Sequence, residues 1–311
     1  MSVITTIFQT PDLNAGIPLL QGTDEKVPLY ALQNVTRYEY IPSPSSCRLQ
    51  HRPDNNHSET PTTPEIPILI IDTLYDDAFG HWVYESAIYL SLFRRLRQKL
   101  YPNLKLHTKR PRRYKDLFYR FFGIAESDIV ESEKLICPNT CIVPLPVSSW
   151  NEKSICSVYK TYVDELFDVF AKKIGNCFPK MISVLLSPRA RQENYAGNDR
   201  QIDVTDIIEK IRDTAKILYT DQVQCLLDDQ IRHIAAAKTV ILMDGSAYYV
   251  NGLFAIDSQI LVVGGCCVVQ HNQEFPKMNY IHQKILEKNR AVCFPCGTHK
   301  VPYSAVKQFL V

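Results

Sequence analysis

The chain has 311 residues, with 35 basic side chains against 33 acidic ones and a formal charge of +2. That length admits about two domains of ordinary size, each with its own core. A charge so close to balance supplies no global field for nucleic acid or an anionic membrane, so any basic function has to be local.

The opening MSVITTIFQTPDLNAG has neither a basic leader nor a sustained apolar core, and no later run reaches the roughly 20 apolar residues of a membrane span. These features predict a cytoplasmic chain with no transmembrane segment. The ten cysteines, at 47, 137, 141, 156, 177, 225, 266, 267, 293 and 296, are scattered and read as free thiols. Cys137-x3-Cys141 and Cys293-x2-Cys296 have the spacing of half a four-sulfur zinc site. Nothing joins the two pairs, and Cys141 falls in an apparent strand, so no metal is expected.

Residues 1–65 read as an irregular lead-in: a short strand near Val35–Ile41, then PSPSS and the polar, proline-rich HRPDNNHSETPTTPEIP, which has little to bury. From Pro67 the pattern sharpens. PILIID is a strand, LYDDAFG a loop and HWVYESAIYLSLFRRLRQKL a helix apolar on one face. Leu104–His107 is a strand, RPRRYKDLFYRFFGI a helix ending at the cap residue Gly123, and Cys141-Ile-Val-Pro-Leu a further strand. YKTYVDELFDVFAKKI is amphipathic and ends at Gly175.

The rhythm then repeats, with strands at Met181–Leu186, Lys216–Tyr219, Thr239–Met243 and Gln259–Val263, and helices at Val204–Thr214 and Cys225–Ala236. Strands alternating with helices predict an α/β fold built on parallel sheets, as two Rossmann-like lobes with a cleft between them. The division expected is a lobe over 66–175, a second over 176–300, and a closing helix over 301–311.

Three places could carry chemistry. In DDQIRHIAAAKTVILMDGSAYYVN a helix, a buried strand and a Gly-Ser-Ala turn follow one another. Such a turn aims backbone amides of the next helix at a crevice, where phosphate binds. Gly245, Ser246, Tyr248 and Asn251 would lie there; alternatively, Gly-Ser-Ala only lets helix and sheet pack closely. His81 and Glu85, four residues apart, share a helix face. A histidine oriented by a carboxylate suits a general base; the alternative is a packing or capping role. Arg189 and Arg200 follow a strand and precede a helix, where they either clamp a diphosphate or pair with Glu193, Asp199 or Asp203.

The basic residues Lys109, Arg110, Arg112, Arg113, Lys115 and Arg120 alternate with aromatic ones. Helical spacing favours Tyr114, Leu117, Phe118 and Phe121 as a core stripe with the charges on the solvated side, over a nucleic-acid surface. The chain lacks Gly-x-Gly-x-x-Gly, a Gly-Lys-Ser/Thr phosphate loop, a Gly-x-Ser-x-Gly elbow and any Asp-x-Asp. Dehydrogenase, ATPase, hydrolase and metal-bridged nucleotide-sugar readings lose support accordingly.

FGHWVYES, YKDLFYRFFGI, SPR with Arg200-x-Ile202, DDQI and GSAYYVN, in that order across about residues 67–265, resemble glycosyltransferase family 61, which includes plant β-1,2-xylosyltransferases and animal protein O-linked GlcNAc transferases. The resemblance implies a GT-B fold, a UDP-sugar donor, an oligosaccharide or glycoprotein acceptor, and inversion without a metal or other cofactor. Carried over, Arg189, Arg200, Gly245, Ser246 and Asn251 would hold the donor, while His81 and Glu85 would face the acceptor. The chain departs from the family pattern at Asp244, where His is frequent, at Asp203, where Asn is usual, and at Gly264-Gly265, where an acidic residue often stands. The alternative these departures suit is a non-catalytic carbohydrate-binding or scaffold protein.

Overall fold

The structure, a computed structural model, describes residues 66–72, 79–108, 112, 114–131, 142, 144, 159–175, 177–187, 202–218, 227–264, 274–294 and 300–310, together with the backbone of 157, 158, 141 and 143 and of the short strands between 17 and 51. It is a mixed α/β protein and separates into two compact units, Met1–Leu166 and Phe167–Val311. That division falls inside a helix, nine residues before the expected boundary at 175/176.

In the first unit the strands are β1 (Ile17–Pro18), β2 (Lys26–Val27), β3 (Leu29–Leu32), β4 (Tyr38–Pro42), β5 (Cys47–His51), β6 (Ile68–Ile70), β7 (Lys105–Thr108), β8 (Ile129–Glu131) and β9 (Cys141–Pro144). The main sheet runs β3-β9-β6-β7-β8. β9, β6, β7 and β8 are parallel, and β3 joins β9 antiparallel, Leu29 opposite Pro144. The strand expected near Val35–Ile41 is present as β4, and the irregular reading of the rest of 1–65 is corrected where β3 borders the sheet and β5 pairs with β4. β3 and β5 are short and lie among polar and proline-rich stretches, which leaves too little periodicity for sequence to reveal them.

Successive strands β6, β7 and β8 step to one side, while β9 returns to the other side of β6. That reversal opens at the carboxyl end of β6, where Asp72 lies. The helical run after β6 is composite: α1 (Phe79–His81), a π-helical turn (Trp82–Ser86), a 3-10 turn (Ala87–Tyr89) and α2 (Leu90–Lys99). Leu90, Leu92, Phe93 and Leu96 are buried, so α2 is held by its apolar stripe. α3 (Lys115–Phe121) ends as its glycine predicts: Gly123 has φ +70°, Ile124 N–H bonds to Tyr119 carbonyl and Gly123 N–H to Arg120 carbonyl. The following helix, α4 (Ser157–Ile174), carries the unit boundary, with Tyr159, Tyr162, Val163 and Leu166 buried on the first side of it.

The second unit has a wholly parallel sheet of β10 (Ile182–Ser187), β11 (Lys216–Ile217), β12 (Ala237–Met243), β13 (Gln259–Val263) and β14 (Arg290–Phe294), ordered β11-β10-β12-β13-β14. The connections are α5 (Thr205–Ile211), α6 (Leu227–Ala236), α7 (Ser246–Phe254) and α8 (Pro276–Leu286), and α9 (Tyr303–Val306) closes the unit. Leu186, Ile241 and Leu261 lie in one register row of the face that α5 and α9 cover with Ile207, Ile211 and Val306. Leu185, Val240 and Ile260 alternate to the other face, and α6, α7 and α8 pack on one another there. Cover on both faces explains why β12 is an unbroken apolar run. The strand order reverses between β10 and β12, so the carboxyl ends of these two strands flank the opening at which doubly wound sheets bind ligands.

Candidate functional site

At the carboxyl edge of the first unit, the imidazole Nδ1 of His81 lies 2.8 Å from Glu85 Oε1. The two side chains differ in setting: His81 is 41 % exposed and Glu85 12 %. The expected dyad is present, with the ring toward solvent and its carboxylate recessed. It is built on the π turn: Ala87 N–H reaches back to the Trp82 carbonyl, five residues earlier. π turns of this kind are frequent at functional sites.

Beneath the dyad is a network that sequence reasoning did not find. Asp72, with no exposed side-chain surface, accepts the Trp82 indole N–H at 2.9 Å on one oxygen. Its other oxygen takes Lys115 Nζ at 2.9 Å and the Thr108 hydroxyl at 3.4 Å. The Tyr119 hydroxyl donates to Thr108 at 2.9 Å. Burial first, and then the Asp72 charge, hold the Tyr119 proton well above the usual phenol range. Trp82 meets Phe118 edge-on at a 5.1 Å centroid distance.

Among the described residues of the basic cluster Arg120 is exposed as expected, while Lys115 corrects the solvated-face expectation. It opens α3 with only 2 % of its surface exposed, because Asp72 provides a buried counter-charge. Leu117 and Phe118 occupy the core stripe as expected, joined by Tyr119. Arg112 forks onto Glu126 at 2.7 and 2.9 Å, which raises the Arg112 pKa and lowers that of Glu126. Lys109, Arg110 and Arg113 lie outside the described residues.

In the second unit the Gly-Ser-Ala turn is where the sequence put it. Gly245 precedes α7 with φ +81° and ψ −141°, a conformation that favours glycine. Ser246 is exposed, at the strand-order reversal. Asp244 is buried, and its carboxylate accepts the Gly245 N–H. That amide is engaged within the chain, and a negative charge stands at the turn.

Asn251, expected to hold the donor, is 2 % exposed. Its amide nitrogen donates to the Ala247 carbonyl at 2.7 Å and its oxygen accepts Gln230 Nε2 at 2.5 Å. It links α6 to α7, and the site loses it as a ligand-facing group. The Tyr248 hydroxyl lies 2.6 Å from His282 Nδ1. Burial pushes the His282 pKa down, favouring a neutral ring that accepts this proton.

Arg189 and Arg200 lie outside the described residues, two positions beyond the end of β10 and two before Ile202. Ile202 packs at the carboxyl end of β13, where a Cβ added to Gly264 would stand 1.9 Å from its Cδ1. Asp203 accepts the Thr205 N–H at 2.9 Å, a side-chain turn that starts α5. Of the cysteine pairs considered for zinc, only Cys293 has a described side chain, and no group of three or more metal-binding side chains occurs among the described residues. None of the described helices is long and apolar enough to cross a membrane.

These edges belong to an α/β protein whose two five-stranded sheets each reverse strand order beside polar side chains. The sequence matches no protein-family model, and comparison with curated proteins gives no match.

Proposed function

We propose that the chain is an inverting, metal-independent glycosyltransferase that moves a sugar, xylose or GlcNAc, from a UDP-sugar to a glycan hydroxyl. In this reading the two units act as the lobes of a GT-B enzyme working in the cytoplasm, with neither nucleic acid nor a cofactor involved. The observation that carries it is the His81–Glu85 pair, an accessible imidazole hydrogen-bonded at 2.8 Å to a recessed carboxylate. Its Nδ1–H donates to Glu85, and Nε2 takes the proton of the acceptor hydroxyl. The acceptor oxygen then bonds to the anomeric carbon, and the bond from that carbon to the diphosphate breaks with its electron pair leaving on UDP. A well-placed base contributes roughly 10²–10⁴ in rate.

The resemblance to family 61 supplies the donor class. The reversal between β10 and β12 supports it, since Ser246 stands there and Arg189 follows β10 by two residues. Arg189, Arg200, Gly245 and Ser246 would hold the diphosphate, stabilising the charge that develops on the leaving group.

A second reading rests on Asp244. Its carboxylate occupies the Gly245 amide and repels a diphosphate, which suits a carbohydrate-binding or scaffold protein that has lost transfer. Thermal unfolding with UDP-xylose, UDP-GlcNAc and guanosine-diphosphate sugars separates the two. A donor at about 100 times its Kd adds roughly 2.7 kcal/mol to the folded state and raises Tm. Arg189→Ala should abolish that shift, and His81→Ala should keep it while lowering kcat by roughly 10²–10⁴. Should no sugar nucleotide raise Tm, the scaffold reading prevails; wild-type turnover in His81→Ala would remove the base assignment.

A further inference from the structure

We infer that the buried Asp72–Lys115 pair is a positioning device for the His81 imidazole, acting through the indole of Trp82. It rests on His81 being the base of the proposed transfer.

Asp72 follows β6 at the edge where strand order reverses, and it is fully buried. A buried ion pair is a poor source of stability, because desolvation offsets much of its attraction, and the role assigned to it here is orientation. The carboxylate is used directionally. One oxygen faces the indole N–H and the other faces Lys115 and Thr108, which fixes the plane of the group.

The indole has a single donor direction, and its ring stands edge-on to Phe118 and Tyr119 at interplanar angles of 87° and 75°. Trp82 is thus held both by its hydrogen bond and by its walls. It is also the residue after His81 and the first of the π turn, whose closing bond its own carbonyl accepts and which contains Glu85. Anchoring Trp82 therefore sets the backbone frame of both members of the dyad. The His81 ring is 41 % exposed and hydrogen-bonded to Glu85 within that same turn.

Trp82→Phe tests the link. It keeps an aromatic ring among Tyr114, Phe118 and Tyr119 and leaves the Asp72–Lys115 pair whole, while removing the one donor joining them. The folded variant should show shifted and broadened His81 ring resonances by NMR. Its kcat should fall roughly 10- to 100-fold with KM little changed, the scale of a displacement near 1 Å. The double variant Asp72→Leu/Lys115→Met removes the indole's acceptor together with both charges, and should give the same signature if Trp82→Phe does not fold.

His81 resonances and kcat equal to wild type in a folded variant would overturn the inference, as would lowered thermal stability with the His81 resonances unmoved. If the wild-type protein transfers no sugar from any donor, the proposed reaction fails, and the resonances alone decide whether the pair positions the ring.

Discussion

Two glycines show how much of one residue's role depends on its surroundings. Gly123 and Gly264 both have positive φ, +70° and +96°. A Cβ on Gly123 would meet nothing within 4 Å, whereas one on Gly264 would overlap three side-chain carbons of Ile202, the farthest at 2.6 Å. Gly123→Ala should then cost only the left-handed backbone penalty, about 1–2 kcal/mol. Gly264→Ala adds overpacking against a branched side chain and should cost roughly 3 kcal/mol or more. Urea unfolding of both variants checks the ranking, and equal costs would mean that Ile202 yields freely. The role of Gly123 was legible in sequence because a glycine after an apolar helical stripe is a local signal. That of Gly264 was not, since its partner lies 62 residues earlier. The His81–Glu85 pair was legible for the same local reason. Lys115 was not, because its counter-charge is 43 residues away.

At the scale of elements, close approach decides the packing of α7 on α8. A Cβ on Gly252 would stand 2.5 Å from Ile285 Cδ1 and 2.9 Å from its Cγ1. Alanine favours a helix interior over glycine by about 1 kcal/mol, while overpacking costs roughly 1–3 kcal/mol, so the clash wins. Gly252→Ala should lower stability, and Ile285→Ala in the same background should restore part of it. A double-mutant cycle checks this, with an expected coupling of roughly 0.5–3 kcal/mol; additive losses would place the contact elsewhere. α8 and β14 were not anticipated, though Pro276 at the first helical turn and the spacing of Met278, Ile281 and Ile285 are signals that could have found α8. The helix after β6 was anticipated as regular. Its π turn has no signal in the 3.6-residue repeat, and the residue that begins it, Trp82, is hydrogen-bonded to Asp72 ten residues earlier.

Across the whole molecule, each unit contains an acid that keeps its proton into the alkaline range, Tyr119 buried in the first and Cys293 half-buried in the second. Burial, with the Asp244 charge, pushes the Cys293 thiol up to about 11. An unfolded thiol ionises near pH ~8.5. Between those values the unfolded chain binds fewer protons than the folded one, so the contribution is complete below pH ~8.5 and is lost as pH rises toward 11. Tyr119, raised well above the usual phenol value, acts in the same direction in the first unit, starting only above pH ~10. Urea midpoints from pH 8 to 11 should fall less steeply in Cys293→Ala than in wild type from the start, and in Tyr119→Phe only at the top of the range. An unchanged slope in Cys293→Ala would show that its thiol ionises equally in both states.

The sequence by itself determined the α/β class, most of the strands from residue 66 onward, the Gly245 turn and the His81–Glu85 pair. Each is written in a short window, by a period, a glycine or two residues one turn apart. Only the tertiary structure decided that β10 and β12 are neighbours, that Lys115 turns inward to Asp72, that Asn251 is spent on joining two helices, and that β3 completes a sheet begun far along the chain. These depend on partners distant in sequence, and burial rather than local pattern sets their energy.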